Sequence, residues 1–168
     1  MTGEATVLYV DDDAAMSRVV ARALGRHDDL RVETVGTAAE GVERLATGGV
    51  DCVVSDYEMP GTDGIEFLEG IRAAGEEVPF VLYTGRGSEA VAGRAIAAGV
   101  TDYLRKGEGP NHFRVLARRV QNAIETARSR RALEESEERF RAMVEGSRDA
   151  ILLYRESVLY ANDRACDL

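Results

Sequence analysis

The stretch VLYVDDD (residues 7–13), running directly into AAMSRVVARAL (14–24), decides how the rest of the chain is read. Val7 to Val10 form a short apolar run that ends in Asp11, Asp12 and Asp13. From Ala14 the apolar residues change to helical spacing, with Met16, Val19, Val20, Ala23 and Leu24 on one side. A strand therefore passes into a helix through an acidic loop, and Asp13 is placed to cap that helix.

The same alternation recurs downstream. Strands are expected at Arg31–Val35, Val50–Ser55, Phe80–Thr84 and Thr101–Leu104, with helices at Ala38–Leu45, Ile65–Ile71, Glu89–Ala97 and from Asn111 onward. Turn residues mark the boundaries: Pro60-Gly61 and Asp63-Gly64 in one strand-to-helix passage, Gly48-Gly49 and Gly99 where helices stop. Thr37 with Glu40 has capping-box spacing. Five strand-helix units predict an α/β fold, a doubly wound five-stranded parallel sheet with helices on both faces.

Composition narrows the function classes. The 168 residues are 45% hydrophobic and 30% charged, enough for one sizeable core. Lys and Arg total 21 against 30 Asp and Glu, a formal net charge of -9, which disfavours non-specific binding to nucleic acid or an anionic membrane. The arginine run RSRR (128–131) reads as linker, and there is no DNA-binding motif. No apolar run is long enough to span a bilayer. Cys52 and Cys166 are far apart and suggest no disulfide framework, so a reducing, cytoplasmic location is expected.

In the proposed sheet the acidic loop after the first strand and Asp56 after the third meet at the carboxyl edge, where open α/β sheets place ligands. Clustered carboxylates repel one another, and hard oxygen ligands favour Mg2+, with Mn2+ as the alternative. Thr84 and Lys106 end the fourth and fifth strands at the same edge. Acids, a metal, a hydroxyl and an ammonium together suit a phosphoryl group held on a carboxylate.

At this point the chain resembles the receiver domain of two-component response regulators, over approximately residues 6–127. The matching pieces are VLYVDDD, VVSDYEMPGTDG (53–64), VLYTG (81–85) and DYLRKG (102–107), in that order. The resemblance implies a CheY-like, flavodoxin-like fold in which Asp56 accepts a phosphoryl group from a phosphohistidine. It implies that Asp12, Asp13 and Asp56 position Mg2+ with the backbone carbonyl of Glu58, leaving Asp11 to the strand end. Thr84 and Tyr103 become the switch pair, and Lys106 contacts phosphoryl oxygen. Glu58 and Arg86, which can pair across the site, are assigned to phosphoryl lifetime. Gly107 stands where the family often has proline. The output surface implied is the helix4-strand5-helix5 face together with the C-terminal helix.

The downstream text EESEERFRAMVEGSRDAILLY (134–154) and VLYAN (158–162) resembles the entry into a PAS sensory domain. The expected organisation is a receiver domain at 1–127, a helical linker at 128–145 and the start of a PAS-like domain at 146–168. The partners implied are a histidine kinase or phosphotransfer protein, a homodimeric copy, and downstream PAS or kinase modules. Two other functions compete: a non-phosphorylated interaction or dimerisation module, and a metal-dependent aspartyl phosphatase. On the favoured reading the chain is a phosphoacceptor with its own metal-assisted chemistry and not a conventional turnover enzyme.

Overall fold

A computed structural model describes residues 3–85, 89–107, 109, 111–147, 149–156 and 158–166. The chain divides into two compact units, Met1–Ala127 and Arg128–Leu168.

In the first unit five strands, β1 (Ala5–Val10), β2 (Leu30–Val35), β3 (Cys52–Ser55), β4 (Phe80–Thr84) and β5 (Asp102–Arg105), form one sheet in the order β2-β1-β3-β4-β5. Every pairing is parallel. The intervening helices are α1 (Ala14–Leu24), α2 (Ala38–Ala46), α3 (Gly64–Ala73) and α4 (Glu89–Ala97), and α5 (Asn111–Glu145) contributes its residues up to 127. This is the doubly wound five-stranded arrangement that the alternating sequence predicts.

Alternate residues of each strand project to opposite faces, and two separate cores follow. Val7, Tyr9, Val54, Val81 and Tyr83 pack against Val20 and Leu24 of α1 and Leu116 and Val120 of α5. Leu8, Val10, Val53, Phe80 and Leu82 face Leu45, Ile65, Leu68, Ile71 and Ala95 of the other three helices. Because both faces are covered, the central strands are mostly apolar, with Thr6, Ser55 and Thr84 as the polar exceptions.

Local chemistry sets the helix starts beside the carboxyl edge. The Asp13 carboxylate accepts from the N–H groups of Ala15 and Met16 and caps α1. Thr37 and Glu40 form the expected capping box at α2, and Asp63 with Glu66 forms another at α3. Register places Val10 opposite Ser55, so Asp11 and Asp56 leave neighbouring strands at the same height. The Asp56 N–H donates to the Val10 carbonyl at 2.9 Å.

The second unit begins within α5 at Arg128. It continues through an antiparallel hairpin, β6 (Leu152–Tyr154) and β7 (Val158–Ala161), into the short α6 (Asp163–Cys166). Asn162 is fully buried there. Its amide nitrogen donates to the carbonyls of Val144 and Asp149, and its amide oxygen accepts from the N–H groups of Ile151 and Ala165. One side chain thus satisfies four backbone groups of the unit.

Two glycines of α3 separate packing from propensity. A Cβ on Gly64 would stand 2.2 Å from the Asp56 carbonyl oxygen, whereas one on Gly70 would meet nothing within 4 Å. Gly64→Ala is expected to destabilise the protein by about 1–3 kcal/mol through overpacking. Gly70→Ala should stabilise it by roughly 0.5–1 kcal/mol. Urea unfolding of the two variants checks this, and equal effects would contradict it.

Candidate functional site

The end of the sheet gathers its charges in an open cleft of about 680 Å³, lined by Asp11, Asp12, Asp56, Glu58 and Lys106 among others. Carboxylate oxygens of Asp11, Asp12 and Asp56 lie within 4.8 Å of one another. Lys106, the sole lysine in the sequence, reaches between two of them. Its Nζ is 2.8 Å from Asp11 Oδ2 and 3.2 Å from Asp56 Oδ2, and the three side chains are 15%, 1% and 13% exposed respectively.

Each carboxylate has further partners. Asp11 Oδ2 accepts a second hydrogen bond, from the Tyr9 hydroxyl at 2.7 Å, and its Oδ1 accepts from the Asp13 N–H. Asp56 Oδ1 accepts from the Tyr57 N–H at 2.7 Å. Burial pushes the Asp56 carboxyl above the ordinary Asp value, against the opposing pull of Lys106, and the Asp11 charge adds to the rise. Burial and the Asp11 carboxylate likewise push the Tyr83 hydroxyl up to about 12.

The arrangement differs from one expectation, although Asp13 also lines the cleft. Asp13 was assigned to the metal with Asp12, but the group drawn together is Asp11, Asp12 and Asp56. Asp13 spends its carboxylate on the first turn of α1. The reason is geometric: β1 ends at Val10, so Asp11 still points into the sheet edge while Asp13 has already reached the N-cap. Glu58 lines the cleft and is exposed.

The remaining assigned residues are distributed as follows. Thr84, fully buried, is the last residue of β4, and its carbonyl accepts the Lys106 N–H at 2.7 Å. The Tyr103 ring packs against the core beneath α2, α3 and α4, and its hydroxyl is buried with no hydrogen-bond partner among the described residues. Gly107 sits so near α5 that a Cβ there would approach His112 Cβ at 3.2 Å. The assignment of Arg86, including its pairing with Glu58, lies outside the described residues.

Sequence reasoning missed two groups. Tyr9 reads as a core aromatic in an apolar strand, and only its distance from Asp11 shows the role of its hydroxyl. Arg94 of α4 pairs with Asp63 at 3.5 Å and donates to the Tyr57 hydroxyl at 3.3 Å. That ties α4 to both ends of the loop following Asp56, a link no local pattern signals.

Comparison with known proteins places the chain in a family. The family described as "Response regulator receiver domain" matches residues 7–118. A protein-glutamate methylesterase/protein-glutamine glutaminase of Nocardioides sp. is 39% identical over 106 residues, 60% of this chain and 28% of the relative. Response regulator MprA of Mycobacterium ulcerans is 36% identical over 102 residues, 60% of this chain and 43% of the relative. The chain thus spans less than half the length of these curated relatives. A receiver domain protein from Clostridium thermocellum superposes with a TM-score of 0.66 at 25% identity, over 74% of this chain and 97% of that one. A CheY-like receiver from Methanospirillum hungatei, at 23% identity and a TM-score of 0.68, shares the fold over 76% of this chain and 99% of its own.

The fold and its acidic edge define a signalling receiver. The chain belongs to the response regulator receiver domain family, whose function is to receive a phosphoryl signal from a histidine kinase on an aspartate. Among the described residues no helix is long and apolar enough to cross a membrane.

The Asp56 shift carries a stability consequence. A carboxyl whose folded value is raised contributes stability that is fully present below its unfolded value, about 3.9. That contribution is lost as pH rises through the folded value. Ionised Asp56 therefore burdens the fold at neutral pH. Asp56→Asn is expected to raise the thermal midpoint at pH 7, with the advantage shrinking toward pH 4. Thermal unfolding at the two pH values tests this, and a lower midpoint for the variant at pH 7 would refute it.

Proposed function

We propose that Asp56 is the phosphoryl acceptor, and that Asp11, Asp12, Asp56 and the Glu58 carbonyl hold a magnesium ion beside it. The observation that carries this reading is the single ammonium of Lys106 shared between Asp11 and Asp56 in an open cleft. Three carboxylates converge there, and their formal charge exceeds that of the one lysine among them, a donor set of hard oxygens that suits Mg2+ or Mn2+. When bound, the ion would neutralise negative charge on the phosphoryl oxygens and on the carboxylates.

The chain's own residues do the rest. An Asp56 oxygen attacks phosphorus, forming the O–P bond as the N–P bond of the donor phosphohistidine breaks; the freed imidazole takes its proton from solvent. Lys106 transfers its hydrogen bond from the Asp56 carboxylate to a phosphoryl oxygen. The Thr84 hydroxyl donates to another, and Tyr103 follows that movement toward the helix4-strand5-helix5 face. Histidine kinases or phosphotransfer proteins are the donors on this reading. Residues 128–145 are read as a helical linker and 146–168, with their hairpin, as a PAS-like segment, supported by the order of elements alone.

Intact-protein mass spectrometry with Mg2+ and acetyl phosphate tests the acceptor. One phosphoryl adduct is expected on the wild-type protein and none on Asp56→Asn; an adduct of equal yield on the variant would overturn the assignment. Lys106→Ala, with unchanged circular dichroism, is expected to slow adduct formation by roughly 10²-fold. Global unfolding as its main effect would remove the chemical role given to the lysine.

A further inference from the structure

We propose that Tyr9 is a positioning residue for Asp11 and thereby sets the affinity of the cleft for a divalent cation. The proposal rests on the metal reading above and deepens it.

Tyr9 lies in β1 two residues before Asp11, on the same side of the strand, and is fully buried. Its hydroxyl donates to Asp11 Oδ2 at 2.7 Å. That oxygen also accepts from Lys106 Nζ at 2.8 Å, while Oδ1 accepts from the Asp13 N–H at 2.9 Å. Three donors from three directions fix one carboxylate that has almost no access to water.

The donors are not equivalent. Lys106 is shared with Asp56, so its bond to Asp11 competes with a second carboxylate. The Asp13 N–H serves only the other oxygen. Tyr9 is the side-chain donor that stays with Oδ2 when the ammonium turns to Asp56, because its ring is locked in the core against α1 and α5. A buried carboxylate stripped of such a donor either reorients or draws the lysine back. Outer-shell partners of this kind typically change metal affinity by about 10- to 100-fold.

Tyr83 supplies the control. It too is fully buried in the same core, and its ring centroid is 5.7 Å from Lys106 Nζ. Its hydroxyl, however, has no hydrogen-bond partner among the described residues. Removing one oxygen from either tyrosine is the same chemical change in the same core, but only at Tyr9 does it take a donor from Asp11.

The test is a Mn2+ titration of the full chain followed by the electron paramagnetic resonance signal of free Mn2+. Tyr9→Phe is expected to raise the dissociation constant by about tenfold or more, and Tyr83→Phe to leave it within about twofold. In acetyl phosphate assays the Mg2+ concentration for half-maximal rate should rise in Tyr9→Phe while the rate at saturating Mg2+ is kept, a split that a general loss of structure does not produce. Equal Mn2+ affinity in wild type and Tyr9→Phe overturns the role of Tyr9 and leaves the metal reading standing. Absence of Mn2+ binding by the wild type overturns both. Should Tyr9→Phe fail to fold, 13Cζ-tyrosine labelling of the wild type decides. The Tyr9 resonance is expected to shift on saturation with Mg2+, and an unmoved resonance overturns the proposal.

Discussion

Two carboxylates on adjacent parallel strands share one ammonium, and the rest of the first unit is arranged to make that tolerable. Asp11 and Asp56 leave β1 and β3 at the same level because Val10 pairs with Ser55. Charges removed from water are costly unless paired and hydrogen-bonded. Lys106 answers both carboxylates from the end of β5, two strands away from β3. The compensation is incomplete, since Asp12 adds a third acid and burial still pushes Asp56 upward. Three acids short of positive charge form a cluster that could hold a cation.

The two cores divide the work of supporting this edge. Beneath α1 and α5, Tyr9 and Tyr83 bring phenol rings under the charged groups, one bonded to Asp11 and one with its hydroxyl unmatched. On the opposite face Tyr103 packs with its hydroxyl buried, and Arg94 grips Asp63 and Tyr57 at the two ends of the loop after Asp56. That arginine connects α4 to the loop after Asp56. Gly64 restricts the same loop from below, because α3 starts in contact with the Asp56 carbonyl.

Much of the first unit was legible because each signal was local. Apolar runs read as strands, and Asp13 and Thr37 mark helix starts through bonds to backbone only two or three residues away, whereas Asp63 reads only as a turn residue and proves to cap α3. The site was legible in outline, since the acids and the lysine follow strands and the threonine ends one. The assignment within DDD was not. Three identical residues contain two adjacent pairs, and resemblance chose the later pair although the capping pattern had already claimed Asp13. Where local chemistry and motif alignment compete for one residue, the local hydrogen bonds held.

By itself the sequence determined the order of strands and helices, the doubly wound class and the residues able to form an acidic edge, because these depend on periodicity and on near-neighbour hydrogen bonds. Only the tertiary structure decided that Asp11 joins Asp12 and Asp56 and that one lysine bridges two carboxylates. It also decided that the Tyr9 hydroxyl belongs to the site and that Arg94 ties α4 to the Asp56 loop. The bridging lysine and the arginine are contacts between residues 31 to 95 positions apart, fixed by strand register and packing. Tyr9 and Asp11 are two residues apart, yet an aromatic in an apolar strand gives no sign of whether its hydroxyl finds a partner until the neighbouring strands have closed around it.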